Sequence, residues 1–554
     1  MTWGRLTNRQ LAASVLALTV LALGIRFLLL GHRIFHWDEA RVGYWTLRYA
    51  ETGIWTYRPI VHGPLLFHVN AFLFDQFGAS DLVARSLVAI VGGTLPLAAW
   101  LLRSRLSDFE VLGMAAFLAL EPTLLYYSRF MRNDLLVAGF AVLAVALFVR
   151  FLDTGRHRYV YGAVLATGLG LGTKEIAVIY PAIWIGALAL LFDRRLLVEE
   201  DREIAWYPRV RTWIAAALRR FWDNRYLLIV GLLELLVVIV ILYAPRPDLS
   251  QALANPAQLP GVVEAATRGS WESLYELWID GGQEHSYVVY LYEQARTLAF
   301  VSLPLTLLAV FGFLHDRYTG GDPRDIVAFP FYWAGAVFFI YPAITDISAP
   351  WALVHALVPL SVPAAVGLGI LLGYGIDAWE SADRIAIGIA VLVGAALVLQ
   401  VGGTAYATSY DHPQADSNPL VQYAQPSGEM RETIETVQAI AVTNDGTDVL
   451  FYGEHFGMGN ESASSQPPAS GNWHNRLPLP WYFERVNAET RSTIGVANLS
   501  DPPPVVIARA EEYGDLREPL EGYEALTFEF RSSGTETIFF VDERALQDAE
   551  KQME

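Results

Sequence analysis

The 554-residue chain contains no cysteine. Disulfides, thiolate nucleophiles and cysteine-ligated zinc are excluded, and the redox compartment cannot be read. Lysine is almost as scarce. Lys174 and Lys551 are the only two, so 37 of the 39 basic residues are arginine. Charge of either sign is thin, at 17% of residues, where a soluble globular chain carries about a quarter. No P-loop and no dinucleotide fingerprint in a strand-turn-helix setting is present, so a soluble nucleotide donor is not indicated. Nothing points to a nucleic-acid partner.

What is present is apolar. Hydrophobic residues make up 53% of the chain and the mean hydropathy is +0.32, as in a polytopic membrane protein. Eleven stretches read as spans, at 10–31, 82–102, 109–127, 134–152, 159–173, 175–192, 226–244, 297–315, 325–345, 351–373 and 384–403. About 20 apolar residues cross a bilayer, and Leu65 to Phe77 is too short, so it reads as an interfacial or re-entrant helix. The first run has no small-x-small cleavage site and is expected to be retained.

Arginine sets the expected orientation. The loop Asp193 to Arg225 carries eight arginines, and short turns hold Arg103, Arg105, Arg156 and Arg158. With a cytoplasmic N-terminus all of these lie inside, as the positive-inside bias requires. Residues 32–81, 128–133, 174, 245–296 and 346–350 then lie outside, together with the tail.

The net charge of −18 is concentrated in that tail. Residues 405–554 hold 25 acidic and 9 basic side chains. Acidic surfaces with scarce lysine fit a halophile, where surface charge maintains solubility; an acidic protein from a high-GC genome is the alternative. "GEMRETIETVQAIAV" patterns as a helix, and "DVLFYG", "PVVIARA", "YEALTFEF" and "TIFFVDE" as strands. The expected fold is mainly α: a polytopic membrane helix bundle over 1–404 with an extracytoplasmic loop at 32–81, then an acidic soluble α/β domain over 405–554.

The costly polar groups collect on the expected outer side. Asp38 and Glu39 follow the first span, "VHGP" supplies His62, and "SRFMRND" supplies Arg129, Arg132 and Asp134. "GTKE" supplies Lys174 and Glu175, and Glu121 lies toward the outer end of the third span. Ionisable groups at membrane depth usually face a cavity or a partner. A compact ammonium where the chain otherwise uses arginine suits a phosphate; snorkelling at a helix end is the plain alternative. Asp38 could instead N-cap the helix "EARVGYWTLRYAET", with Arg41 as a surface partner. Arg129 and Arg132 could neutralise lipid phosphates, with Asp134 pairing to either, and His62 could be a turn residue. The glycines of "GLGLGTKE" are expected to permit close helix packing. Glu234, inside the seventh span, suggests no more than a hydrogen bond to a neighbouring helix. Glu284 and His285 could contact an acceptor or metal, or be loop polar residues.

The order of an acidic pair, a His-x-Pro element, "SR-x-x-R-x-D" and a "G-T-K" turn resembles the protein O-mannosyltransferase-like and aminoarabinose transferase-like glycosyltransferases of the GT-C superfamily. The likeness is greatest to the haloarchaeal flippase-activity-associated glycosylation proteins. It covers roughly residues 30–190 and does not explain the tail. It implies transfer of a sugar from a polyprenyl- or dolichyl-phosphate carrier to a glycan, lipid or protein acceptor on the extracytoplasmic face, in archaeal cell-surface N-glycosylation. Carried over, Asp38 is the general base and Glu39 orients its neighbourhood or the acceptor. Lys174, Arg129 and Arg132 hold the donor phosphate, and Asp134, His62 and Glu121 position the substrate or a cation. A divalent metal ion is compatible, but no ligand spacing demands one. One-step displacement inverts the anomeric centre. Membrane lipid and other glycosylation-pathway proteins are the further partners implied. The competing readings are a lipid-linked sugar flippase or its accessory subunit, and a structural subunit that docks through its acidic tail.

Overall fold

A computed structural model of the chain describes residues 6–553, apart from 60–62, 198–210, 213, 217–218, 220–221, 279–284, 320–321, 346, 459, 462–468, 470, 496–498, 500 and 531–535. Among the described residues seven helices are long and apolar enough to cross a membrane: Asn8–Phe27, Asp81–Leu101, Asp134–Thr154, Arg225–Tyr243, Asp325–Ile344, Pro350–Glu380 and Arg384–Asp411. The protein is a multi-pass membrane protein. An eighth span is formed if Tyr287–Val301 and Leu303–Tyr318, bent by 97°, are taken as one. The remaining expected spans are helical but shorter or broken. The third divides into Asp108–Leu120 and Pro122–Tyr127. Pro122 cannot donate to the preceding turn, and Glu121 caps the new one. Pro304 acts likewise after Ser302 in the bent pair. Pro64–Phe77 is the short helix expected there. Much of the arginine-rich loop, including Arg202, Arg209 and Arg220, lies outside the described residues.

Two compact units form, one from Met1–Leu28, Ile54–Leu66 and Ser86–Asp411, the other from Leu29–Gly53, Phe67–Arg85 and His412–Glu554. In the first, Val354–Glu380 is central. It packs on Leu303–Tyr318, Asp325–Ile344 and Asp108–Leu120. Helix Arg158–Leu171 lies close against Arg225–Tyr243, since a Cβ on Gly168 would meet the Val238 side chain at 2.8 Å. That is the expected use of a glycine in "GLGLGTKE". Glu234 does not make the expected bond: its Oε2 is buried and accepts no hydrogen bond among the described residues.

The second unit holds a five-stranded open sheet of order β2-β1-β3-β5-β4. The strands are β1 Val449–Tyr452, β2 Thr490–Thr493, β3 Val505–Arg509, β4 Tyr523–Glu529 and β5 Glu536–Asp542. β2, β1 and β3 run parallel, while β5 is antiparallel to both neighbours. The three central strands are buried on both faces and so read as nearly unbroken apolar runs. Leu450, Val506, Ile538 and Phe540 build one core face with Leu516 and Leu520.

Candidate functional site

In the membrane unit the centre of the charged cluster is Asp134, in the first turn of Asp134–Thr154, where the helix N-terminus favours an anion. Three groups reach its carboxylate. Lys174 Nζ lies 2.8 Å from Oδ1, His355 Nε2 3.1 Å from the same oxygen, and Arg132 Nε 3.7 Å from Oδ2. Asp134 is 1% exposed, Arg132 3%, Lys174 4% and His355 0%. Buried charges are tolerated when paired, and here two full cations face one carboxylate. Trp351 carries both, with Lys174 Nζ 3.8 Å and Arg132 Cζ 5.3 Å from its ring centroid. Behind them the Tyr180 hydroxyl is 2.5 Å from His355 Nδ1. Asp134 Oδ2 is buried and accepts no hydrogen bond among the described residues.

The backbone fixes this arrangement. Lys174 is the N-cap of the 3-10 turn Glu175–Ile179. The carbonyl of Thr173 accepts from Gly63 N–H at 2.9 Å and from the Asn133 side chain, and that of Gly172 accepts from Leu65 N–H at 2.8 Å. A Cβ on Gly63 would lie 2.6 Å from the Gly172 carbonyl oxygen. Gly63 and Leu65 are thus joined to the "GTK" element through main-chain atoms, and Asn133 of "RND" is joined to it through its side-chain amide.

Arg129 and Glu121 face other tasks. Arg129 Nη1 donates to the carbonyls of Ile25, Arg26 and Leu28 at 3.2, 3.2 and 2.5 Å. These belong to the end of Asn8–Phe27, whose last carbonyls have no partner within the helix. Glu121 accepts from Leu124 N–H at 2.7 Å and from the Ser302 hydroxyl. His285 bonds through Nε2 to the Pro342 carbonyl at 3.0 Å. His62, Glu284 and the Glu175 side chain lie outside the described residues.

The acidic pair lies in the second unit, on helix Trp37–Thr52. His36, not Asp38, is the N-cap: its Nδ1 accepts from Asp38 N–H at 3.0 Å. The two acids then diverge. Glu39 is fully buried and takes Arg85 in a fork, with Nε and Nη2 both at 2.8 Å, while Arg33 Nη2 adds 3.2 Å and His36 N–H 3.0 Å. Burial alone would raise the Glu39 carboxyl, but Arg85 and then Arg33 outweigh it and hold it at about 2. Arg85 also donates to the carbonyls of Leu30 and Arg33 and lies 4.6 Å over the Phe35 ring. Glu39 therefore anchors the turn leading into the helix. Asp38 is half-buried, its Oδ2 3.7 Å from His36 Nδ1. Burial holds the nearby Arg41 guanidinium below its ordinary value, against the opposing pull of Asp38.

His355, Trp351, Tyr180, Arg85 and His36 were not singled out from the sequence. Arginine in "DLVARSLVAIV" and histidine in "WALVHALVP" were the available signals, each an ionisable residue inside an apolar run.

Residues 61–216 match the family model of dolichyl-phosphate-mannose-protein mannosyltransferase, and residues 430–542 match that of the Agl23 flippase-associated protein C-terminal domain. No curated protein sequence is significantly similar to the chain. ArnT from Cupriavidus metallidurans in the apo state is similar in structure with a TM-score of 0.56 at 15% identity, covering 96% of this chain and 99% of that one. The same protein bound to undecaprenyl phosphate gives 0.56 at 14%, covering 95% and 97%. The oligosaccharyltransferase AglB from Archaeoglobus fulgidus, in complex with an inhibitory peptide and a dolichol-phosphate, gives 0.50 at 15%, covering 96% and 74%. The chain has the fold of the GT-C membrane glycosyltransferases. It is similar to the mannosyltransferase family over residues 61–216, to ArnT in fold, and to the Agl23 flippase-associated protein C-terminal domain over residues 430–542.

Proposed function

We propose that the protein moves a sugar from a polyprenyl- or dolichyl-phosphate carrier to a hydroxyl-bearing acceptor on the extracytoplasmic face, in cell-surface glycosylation. The observation that carries this is the pair of buried cations, Lys174 and Arg132, on one tryptophan with one carboxylate between them. Two cations side by side in a water-poor setting suit a lipid-borne phosphate. The likeness to ArnT, solved with undecaprenyl phosphate, supports the same ligand class.

In this reading Asp38 accepts the acceptor's hydroxyl proton as its oxygen bonds to the anomeric carbon. The bond from that carbon to the phosphate oxygen breaks, its electron pair stays on the phosphate, and the anomeric configuration inverts. Lys174 and Arg132 stabilise the charge left on the leaving phosphate. Glu39 acts through structure, by fixing the helix start that carries Asp38. Arg129 buttresses the end of the first helix.

The test is transfer of label from dolichyl-phosphate sugars to glycoprotein acceptors by purified protein in lipid, with Asp38→Asn beside it. Label that moves with wild type and stops with the variant supports the assignment. Undiminished transfer by a folded Asp38→Asn protein refutes it. The match of residues 430–542 to a flippase-associated protein favours a second reading, an accessory subunit for lipid-linked sugar flipping without bond chemistry. Lipid flipping that depends on the protein, with no transfer from any donor, would favour it.

A further inference from the structure

We infer that Tyr180 and His355 are positioning residues for Lys174: they hold the Asp134 carboxylate, and through it set where the lysine ammonium presents its charge. The inference rests on the reading of Lys174 as the phosphate-binding residue.

The chain of contacts has one direction. The Tyr180 hydroxyl lies 2.5 Å from His355 Nδ1, and His355 Nε2 lies 3.1 Å from Asp134 Oδ1. A neutral imidazole with its proton on Nε2 satisfies both bonds, accepting from the phenol and donating to the carboxylate. Oδ1 is also the oxygen that takes Lys174, at 2.8 Å. Tyr180, His355 and Asp134 are all at most 3% exposed, among the rings of Tyr341, Trp333 and Trp184. Away from water such a chain holds its members firmly.

The need follows from the chemistry of lysine. Its ammonium is a point charge on a flexible four-carbon stem and finds its place only through partners. Lys174 and Tyr180 flank the two ends of the turn Glu175–Ile179, and both ends return to one carboxylate, directly or through His355. Trp351 and His355, four residues apart at the start of Pro350–Glu380, supply the platform under the ammonium and the donor to its counter-ion. With His355 removed, Oδ1 keeps Lys174 alone, and the carboxylate can turn toward Arg132 and take the ammonium with it.

Two lysines in the chain make Lys174 directly readable. Full-length protein in nanodiscs would be labelled with an amine-acylating reagent and followed by mass spectrometry, with Lys551 as internal reference. We expect His355→Leu to raise the relative labelling rate of Lys174 about fivefold, the scale of one lost hydrogen bond. His355→Gln, which restores an N–H donor, should stay near wild type, and Tyr180→Phe should fall between. In the transfer assay His355→Leu should lower kcat/KM for a dolichyl-phosphate sugar roughly tenfold, with His355→Gln near wild type. Equal effects of Gln and Leu would overturn the inference. Tyr180→Phe removes one oxygen atom and keeps the test open if the histidine variants do not fold. Adding dolichyl phosphate separates the two levels. Failure to protect Lys174 in wild type refutes the phosphate reading while the substitution series still judges the positioning pair. Protection in wild type, with His355→Leu labelled at the wild-type rate, refutes the pair alone.

Discussion

Glu39 and Asp134 are both buried carboxylates held by cations, yet they are finished to different degrees. Glu39 has a bidentate arginine, a second arginine and a backbone N–H shared over its two oxygens. Asp134 loads Lys174 and His355 onto one oxygen and leaves the other 3.7 Å from Arg132 with no hydrogen bond among the described residues. A completed pair stabilises a fold and has nothing further to bind. A carboxylate with one oxygen left without a hydrogen bond can exchange its cations with a ligand. The difference separates a fully bonded anchoring acid from one with an open oxygen, although sequence position marks both equally.

The sharpest way to break this comparison is Glu39→Gln. It strands Arg85 in a buried site and should cost about 3–5 kcal/mol of stability, read by thermal unfolding in lipid. An unchanged melting temperature would remove Glu39 from its anchoring role. Lys174→Ala should do the opposite. We expect little loss of stability but a drop of roughly tenfold to a hundredfold in kcat/KM for the lipid donor, the scale of one charge-assisted hydrogen bond. Gly63→Ala would place a methyl 2.6 Å from the Gly172 carbonyl oxygen. Its cost should be about 1–3 kcal/mol, with weaker donor binding seen in the same assay. The pH response should be smaller. The Glu39 carboxyl is held at about 2 against an ordinary 4.5, so its stabilisation is complete above the ordinary value and is lost as pH falls from about 4.5 toward 2. Melting temperatures followed down that range should decline in wild type and lack this component in Glu39→Gln. Arg129→Lys should have the least effect, about 1 kcal/mol or less, because one ammonium can still reach some of the carbonyls of Ile25, Arg26 and Leu28.

Where hydropathy or alternation dominates, the chain is readable without coordinates. Long helices such as Asp134–Thr154 and strands β1, β3, β4 and β5 fall where their apolar runs are. β2 was not visible, since "TRST" is short, polar and stabilised only by pairing with β1. The amphipathic helix Glu543–Met553 is equally hidden in the sequence, because its charged face reads as an acidic tail. Within the cluster, Lys174, Arg132 and Asp134 stood out as costly residues. His355 did not, because it sits in a long apolar helix and its partners are 221 residues away at Asp134 and 175 at Tyr180. Asp38 and Glu39 looked alike as neighbours, and only their different surroundings distinguish them. Tertiary partners, which no local pattern encodes, assign those roles.

The main-chain links among Gly63, Leu65, Gly172 and Thr173 carry a consequence for ancestry. Two short stretches far apart in the gene meet there as bare backbone, with no side chain whose exchange in one is compensated by exchange in the other. Such a junction offers natural variation few small steps. Sequence change can proceed freely elsewhere, while this knot is inherited whole or abandoned together with the turn that carries Lys174.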